Sequence, residues 1–377
     1  MGHRASLPKR IDKRNVVPYC SGTAIRFDRG RRETLLTTSS AVGRPRSAAP
    51  PPEGEPHIMS APRHAADTVP APAPVLSVSP VVLPAPGRAV DLQVRVSAPV
   101  TGDELPIILL SHGQGYSNHL SSLNGYAPLA NFWAAHGFVV IQPTHLSSRS
   151  LSLPADTPGA PLHWRSRAED MTRVLDQLDA IEAAVPQLRG RLDRGRVAVA
   201  GHSMGGHTAS LLLGARLTDP DTGAEVDLAD PRITAGVLLA APGRGGDAVT
   251  EFVRENYSFF LSTDFTTMTT PALVVAGDKD ASTHLTVLGP QWHTDPYHLS
   301  PGRKALLTLF DAEHGLGGVS GYDVAETTDE NPERVAVVQR LTWAYLRSEC
   351  YPGDPAWQAA RDALATAPDP LGRVETK

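Results

Sequence analysis

The segment Val197-Ala198-Val199-Ala200-Gly201-His202-Ser203-Met204-Gly205-Gly206 constrains this chain more than any other. A short β-branched, apolar run enters a G-x-S-x-G turn and passes directly into the helix-like stretch His207-Thr208-Ala209-Ser210-Leu211-Leu212-Leu213. Strand, sharp turn and helix in immediate succession are the context in which a serine is lifted on a strained corner, open to a base and to an approaching carbonyl. Gly201 and Gly205 leave room for neighbouring backbone where a side chain would collide. The N–H of Met204, first in the helix, then points to where negative charge would develop on that carbonyl. The bland reading of the same residues is a tight βα turn.

The rest of the chain alternates in a way that suits the strand–turn–helix. Val75-Leu76-Ser77-Val78, Val81-Val82-Leu83 and the period-two set Val90, Leu92, Val94, Val96 predict an antiparallel edge hairpin. Strands are expected at 106–111, 138–142, 196–200, 234–240, 271–277 and 304–310, and helices at 125–136, 164–184, 204–216, 331–347 and 354–366. Alternating β and α elements predict an α/β class: a mostly parallel, doubly wound sheet with helices on both faces and the antiparallel hairpin at its edge.

A serine hydroxyl needs an imidazole to take its proton and a carboxylate to orient that imidazole. Downstream of Ser203, the strand Pro271–Gly277 ends in Asp278-Lys279-Asp280, and Lys304–Phe310 ends in Asp311-Ala312-Glu313-His314-Gly315. Both loops leave strand ends on the edge that Ser203 occupies, in the order nucleophile, acid, base. Asp280 is expected as the acid and His314 as the base, with Asp278 capping its turn. A second oxyanion donor is expected from the loop after Pro106–Ser111, at the backbone N–H of Gln114; His112 and His202 read as structural rings. Long loops carrying aromatic and polar groups put Tyr116, His145 and Trp292 forward as pocket residues for an apolar acyl or alcohol group. No H-E-x-x-H or other metal-ligand spacing is present, so neither metal nor cofactor is expected.

Several blocks resemble the α/β-hydrolase superfamily, over residues of about 81 to 348. They are Ser111-His112-Gly113, Ala135-His136-Gly137-Phe138-Val139-Val140, Arg167-Ala168-Glu169-Asp170, Gly201–Gly206, Gly277–Asp280 and Glu313-His314-Gly315. The likeness is to the branch holding dienelactone hydrolases, platelet-activating-factor acetylhydrolases, chlorophyllases and cutinase-like polyester hydrolases. It implies the α/β-hydrolase fold, Ser203 as nucleophile, Asp280 as acid, His314 as base, and Gln114 and Met204 at the oxyanion positions. The expected activity is hydrolysis of a small-molecule or lipid-like carboxylic ester. Amide or polyester hydrolysis, and a non-catalytic scaffold that binds a small molecule or partner, are the alternatives. The chain departs from cutinase-like members in lacking a visible secretory signal and a late cysteine pair, and from dienelactone hydrolases in having Ser at the elbow.

Charge divides the 377 residues unevenly. Residues 1–64 hold 12 of the 35 Lys+Arg and 5 of the 40 Asp+Glu, a local balance of +7, which leaves −12 for the remainder. This Pro-rich stretch, with the linker to residue 74, is expected to be disordered. It reads either as a basic tail able to touch nucleic acid or a membrane, or as sequence ahead of a true start at Met59. The catalytic domain is expected over 75–366, followed by a tail at 367–377, with no nucleic-acid partner for the domain itself. Two cysteines, Cys20 and Cys350, make a structural disulfide an unpromising idea. No apolar run reaches membrane-spanning length, and cytoplasmic residence is the default.

Overall fold

A computed structural model describes residues 69–377; the expectations for residues 1–68 lie outside them. The short apolar runs form the strands β1 (Val75–Leu83), β2 (Leu92–Pro99), β3 (Leu105–Ser111), β4 (Val139–Pro143), β5 (Leu192–His202), β6 (Arg216–Thr218), β7 (Glu225–Asp227), β8 (Ile233–Leu239), β9 (Ala272–Gly277), β10 (Lys304–Leu309) and β11 (Gly372–Thr376). Nine of them make one sheet in the order β1-β2-β4-β3-β5-β8-β9-β10-β11, and β6 pairs with β7 apart from it. The neighbours from β4 to β10 run parallel, while β1, β2 and β11 pair antiparallel.

Helices cover both faces: α1 (Ala127–Ala135), α2 (Trp164–Asp176), α3 (Leu178–Ala184), α4 (Met204–Leu212), α5 (Glu251–Asn256), α6 (Asp295–His298), α7 (Pro332–Cys350) and α8 (Ala356–Ala365). The pleat sends alternate strand residues to opposite layers. Ile107, Leu109, Val197 and Val199 meet Met171, Val174 and Leu212 on one face. Ile108, Leu110, Ala198 and Ala200 meet Leu129, Trp133, Val338 and Leu341 on the other. A central strand buried on both faces needs a continuous apolar run, which is why these strands stand out in the sequence. The arrangement is an α/β fold with a mostly parallel sheet, and it carries the ends of β3, β5, β9 and β10 to one edge of that sheet.

Three expectations need correction. The segment 367–377, expected to trail as a tail, contributes β11, which pairs with β10 from Ala305↔Thr376 to Leu309↔Gly372. It covers an edge that would otherwise present unpaired backbone groups, with Leu371 and Val374 packed on the core. The helix expected over 164–184 breaks at Gln177, whose φ of −117° and ψ of 26° leave the helical region. The elbow helix ends at Leu212 rather than 216, because Gly214 at φ 108° stops it and the β6–β7 hairpin follows. Among the described residues, no helix is long and apolar enough to cross a membrane.

Candidate active site

The turn after β5 holds Ser203 at φ 54° and ψ −122°, a conformation L-residues rarely adopt. Close approach of backbone enforces it. A β-carbon at Gly201 would collide with the Gly205 carbonyl, and one at Gly205 with the Ser111 carbonyl. Met204 opens α4, so its N–H is one of the amides that have no partner within the helix. The loop after β3 runs directly against the serine, since an added β-carbon at Gly113 would lie 3.3 Å from Ser203 Cβ. Gln114 follows, its side-chain Nε2 donating to the Ser147 carbonyl at 3.2 Å.

The loops after β9 and β10 bring Asp280 and His314 together. His314 Nδ1 lies 2.7 Å from Asp280 Oδ2, with the carboxylate buried and the imidazole side chain 36% exposed. An ionised carboxylate can only accept, so the bond places a proton on Nδ1 and leaves the lone pair of the neutral ring on Nε2. Burial alone would raise the Asp280 pKa, but the imidazoles of His314 and His293 beside it hold it well below the usual carboxylate range. Burial alone would lower that of His314, but the Asp280 charge and hydrogen bond outweigh it, with a smaller push from Asp329, and the net shift is upward.

Asp278 takes no part in this pair among the described residues; its backbone N–H donates to the Leu309 carbonyl at 3.0 Å. Asp311 and Glu313 do not orient the ring either. Glu313 Oε2 accepts from Thr328, and the loop is anchored by Asp329 Oδ2, which accepts the Glu313 and Gly317 N–H groups at 2.8 and 3.0 Å.

A chain of hydrogen bonds that no sequence signal marked ties the three loops together. The Gly113 N–H donates to Tyr126 Oη at 2.9 Å, and that hydroxyl lies 2.9 Å from His202 Nδ1. His202 Nε2 reaches the His314 carbonyl at 2.7 Å. Burial, then the nearby His314, push the His202 pKa down to about 3, so its ring is neutral and can donate only from Nε2. Tyr126 therefore donates to His202 while accepting from Gly113. Tyr126→Phe should leave two buried groups without partners, costing about 1–3 kcal/mol. We expect a lower thermal midpoint and a fall in kcat/KM of about ten- to a hundredfold from the displaced loop. Steady-state kinetics beside a thermal melt check both.

Beneath this chain lies a second, fully buried network. Ser111 Oγ is 2.9 Å from His145 Nε2, and His145 Nδ1 is 3.0 Å from Asp170 Oδ2, which also meets Arg88. Arg167 donates to the His112 carbonyl, to Ser147 Oγ at 2.6 Å and to Thr208 Oγ1 at 3.1 Å, joining the β3 loop to α4. His112 is buried in the same place, its Nε2 accepting the His145 N–H at 3.1 Å. His145, expected in the pocket, is thus corrected to an interior role: it has no accessible surface and both ring nitrogens are engaged. Trp292 is likewise buried, its indole N–H donating to the Arg244 carbonyl at 2.8 Å, and offers no surface to an open pocket. Tyr116 is exposed, with its hydroxyl donating to the Ala325 carbonyl at 3.0 Å. A surface hollow of about 820 Å³ against α1, lined by Pro72, Phe132, His136 and Tyr322, holds none of the expected site residues.

Asp280, His293 and His314 bring ligand-type atoms within 4.8 Å of one another. Their spacings to the shared oxygen, 2.7 and 3.2 Å, are those of hydrogen bonds, which fits a set that shares protons.

No protein-family profile matches the chain. Over 142 residues it is 29% identical to platelet-activating factor acetylhydrolase of Cavia porcellus, covering 29% of this chain and 31% of that protein. The chain therefore matches less than a third of that relative's length.

Proposed function

We propose that this chain is a serine hydrolase of carboxylic esters, working through Ser203, His314 and Asp280 without a cofactor. The observation that carries the reading is the 2.7 Å bond from His314 Nδ1 to the buried Asp280, on the sheet edge that carries the strained Ser203 turn. Ser203 Oγ attacks the ester carbonyl while His314 Nε2 takes its proton and later returns it to the leaving alcohol. Asp280 holds the ring in the required tautomer and stabilises the imidazolium that forms. The N–H groups of Gln114 and Met204 receive the tetrahedral oxyanion, and water then releases the acyl group by the reverse sequence. The limited similarity to an acetylhydrolase makes short acyl chains the first substrate class to try, and lipid-like esters the next. A panel of p-nitrophenyl esters of rising acyl length, with a phospholipid, a polyester and an anilide alongside, tests this. Turnover of the short esters supports the reading; turnover of the anilide alone, or of none, contradicts it.

The base works only when neutral, so kcat/KM should rise with pH through a single ionisation of His314. Because Asp280 raises that ionisation, its midpoint should lie above the ordinary imidazole value of about 6.5. Activity is then present above the midpoint and lost as the pH falls through it. A pH profile on the best ester measures this directly, and a midpoint below the ordinary value would contradict the assigned pair.

A further inference from the structure

Asp280 is shared between two imidazoles, and only one of them belongs to the proposed triad. The second, His293, sits in a one-turn helix between β9 and α6, and its side chain has no accessible surface. Its Nδ1 lies 2.9 Å from the carbonyl oxygen of Ala241, a group that can only accept. Its Nε2 lies 3.2 Å from Asp280 Oδ2 and 3.1 Å from Ser282 Oγ. The one hydroxyl proton of Ser282 is already given to Asp280 Oδ1, at 2.7 Å. Among the described residues, the polar atoms placed against the ring nitrogens, on Ala241, Asp280 and Ser282, are thus acceptors.

Resting on the esterase reading, we infer that His293 is a positioning residue that donates from both ring nitrogens, so that a buried cation stands beside Asp280 and tempers its pull on His314. With one proton only, the ring would direct a lone pair at a carboxylate or a carbonyl in a buried place, where such a contact is costly. With both protons, His293, Ser282 and His314 saturate the two Asp280 oxygens, and the carboxylate has one orientation available to it. The charge has a consequence at the base. Asp280 alone would raise His314 further, whereas a cation whose ring centroid is 5.6 Å from that of His314 opposes a second proton there. The base then stays neutral to lower pH than a lone carboxylate would allow.

The other titratable groups around this cluster come from every neighbouring loop. His202 faces His314 from the elbow, with centroids 5.0 Å apart, and Asp329 acts on His314 from its own loop. His284, on the loop after β9, interacts electrostatically with Asp280, His293 and His314. Asp295, two residues beyond His293, is paired with Arg244 at 2.9 Å. Asp280 Oδ2 meets both the His314 and the His293 rings, at 2.7 and 3.2 Å.

Two measurements test the inference. In protein carrying ¹⁵N-histidine, long-range ¹H–¹⁵N spectra recorded above the His314 midpoint should show the His293 ring, identified by its absence from His293→Gln, with both nitrogens protonated. A spectrum in which the His293 ring has one bare nitrogen overturns the inference, whether or not the protein hydrolyses esters. Kinetics supply the second arm. His293→Gln keeps a neutral donor near Asp280 but removes the charge. The rising limb of its kcat/KM profile should move up by about two pH units, the size expected for unit charges at this separation in an effective dielectric of about 20. A lower kcat with the limb unmoved would leave His293 a packing residue and overturn the inference. Loss of ester turnover in the wild type would instead count against the esterase reading, and the spectra would still decide the protonation of His293. Should His293→Gln fail to fold, the same ring is identified in Ser282→Ala, which retains the Asp280 and Ala241 acceptors.

Discussion

Ser203→Ala is expected to lower kcat for ester hydrolysis by about five to six orders of magnitude, with the thermal midpoint nearly unchanged. The size follows from losing the nucleophile of a unit whose members act together, so that the base and oxyanion donors retain only a small residual effect. The fold should tolerate the change. Alanine inherits the same φ of 54°, which the surrounding backbone imposes, and no buried partner is stranded because the serine side chain is half-buried rather than interior. Steady-state rates with a p-nitrophenyl ester, beside circular dichroism and a melt, test this. Activity within tenfold of the wild type would place the reaction on another residue.

Asp280→Asn should lower kcat by roughly three to four orders of magnitude, because an amide no longer fixes the proton on His314 Nδ1 and the ring can settle in the wrong tautomer. Asp278→Asn, two residues away, should change kcat little, since no bond joins its carboxylate to His314. The contrast is sharper here than at an ordinary triad. Asp280 accepts from His314, His293 and Ser282, so the amide also faces two imidazoles with one acceptor atom. A stability loss should accompany the kinetic one for Asp280→Asn, readable as a lower denaturation midpoint. Equal effects at the two positions, or a reversed order, would move the acid role to Asp278.

What was legible in the sequence shares one property: it is written in contiguous residues. The elbow, the carboxylate pair after β9 and the His-Gly after β10 are local patterns, and each strand announces itself as a buried apolar run. The sheet then brings those strand ends to one edge. The links without a sequence signal act across long separations. Tyr126 bonds His202 76 positions away, and His202 reaches the His314 carbonyl 112 positions away, so neither link leaves a spacing to read. His145 misled for a related reason. It follows a strand end, in a loop rich in Ser and Pro, where exposure is the usual outcome. Instead it turns inward to Asp170 and Ser111, 25 and 34 positions away. His293 is one histidine among several in a long loop, and the acceptors around its ring, drawn from Ala241 and Asp280, leave no local pattern. The β11 strand went unread because Gly372-Arg373-Val374-Glu375-Thr376 is short and mostly polar, as befits an edge strand.

Among the described residues, Ser111, His145 and Asp170 form a hydrogen-bonded series, and the proposed set of Ser203, His314 and Asp280 differs from it in access. Ser111, His145 and Asp170 have no accessible surface, whereas Ser203 and His314 are partly exposed. A reaction with an outside ester requires the accessible set. Treatment of the wild-type protein with a fluorophosphonate, followed by peptide mass spectrometry, identifies the serine that attacks. One phosphonylated residue, Ser203, is expected, with stoichiometric loss of ester turnover. Modification of a different serine, or full inactivation with Ser203 unmodified, would contradict it.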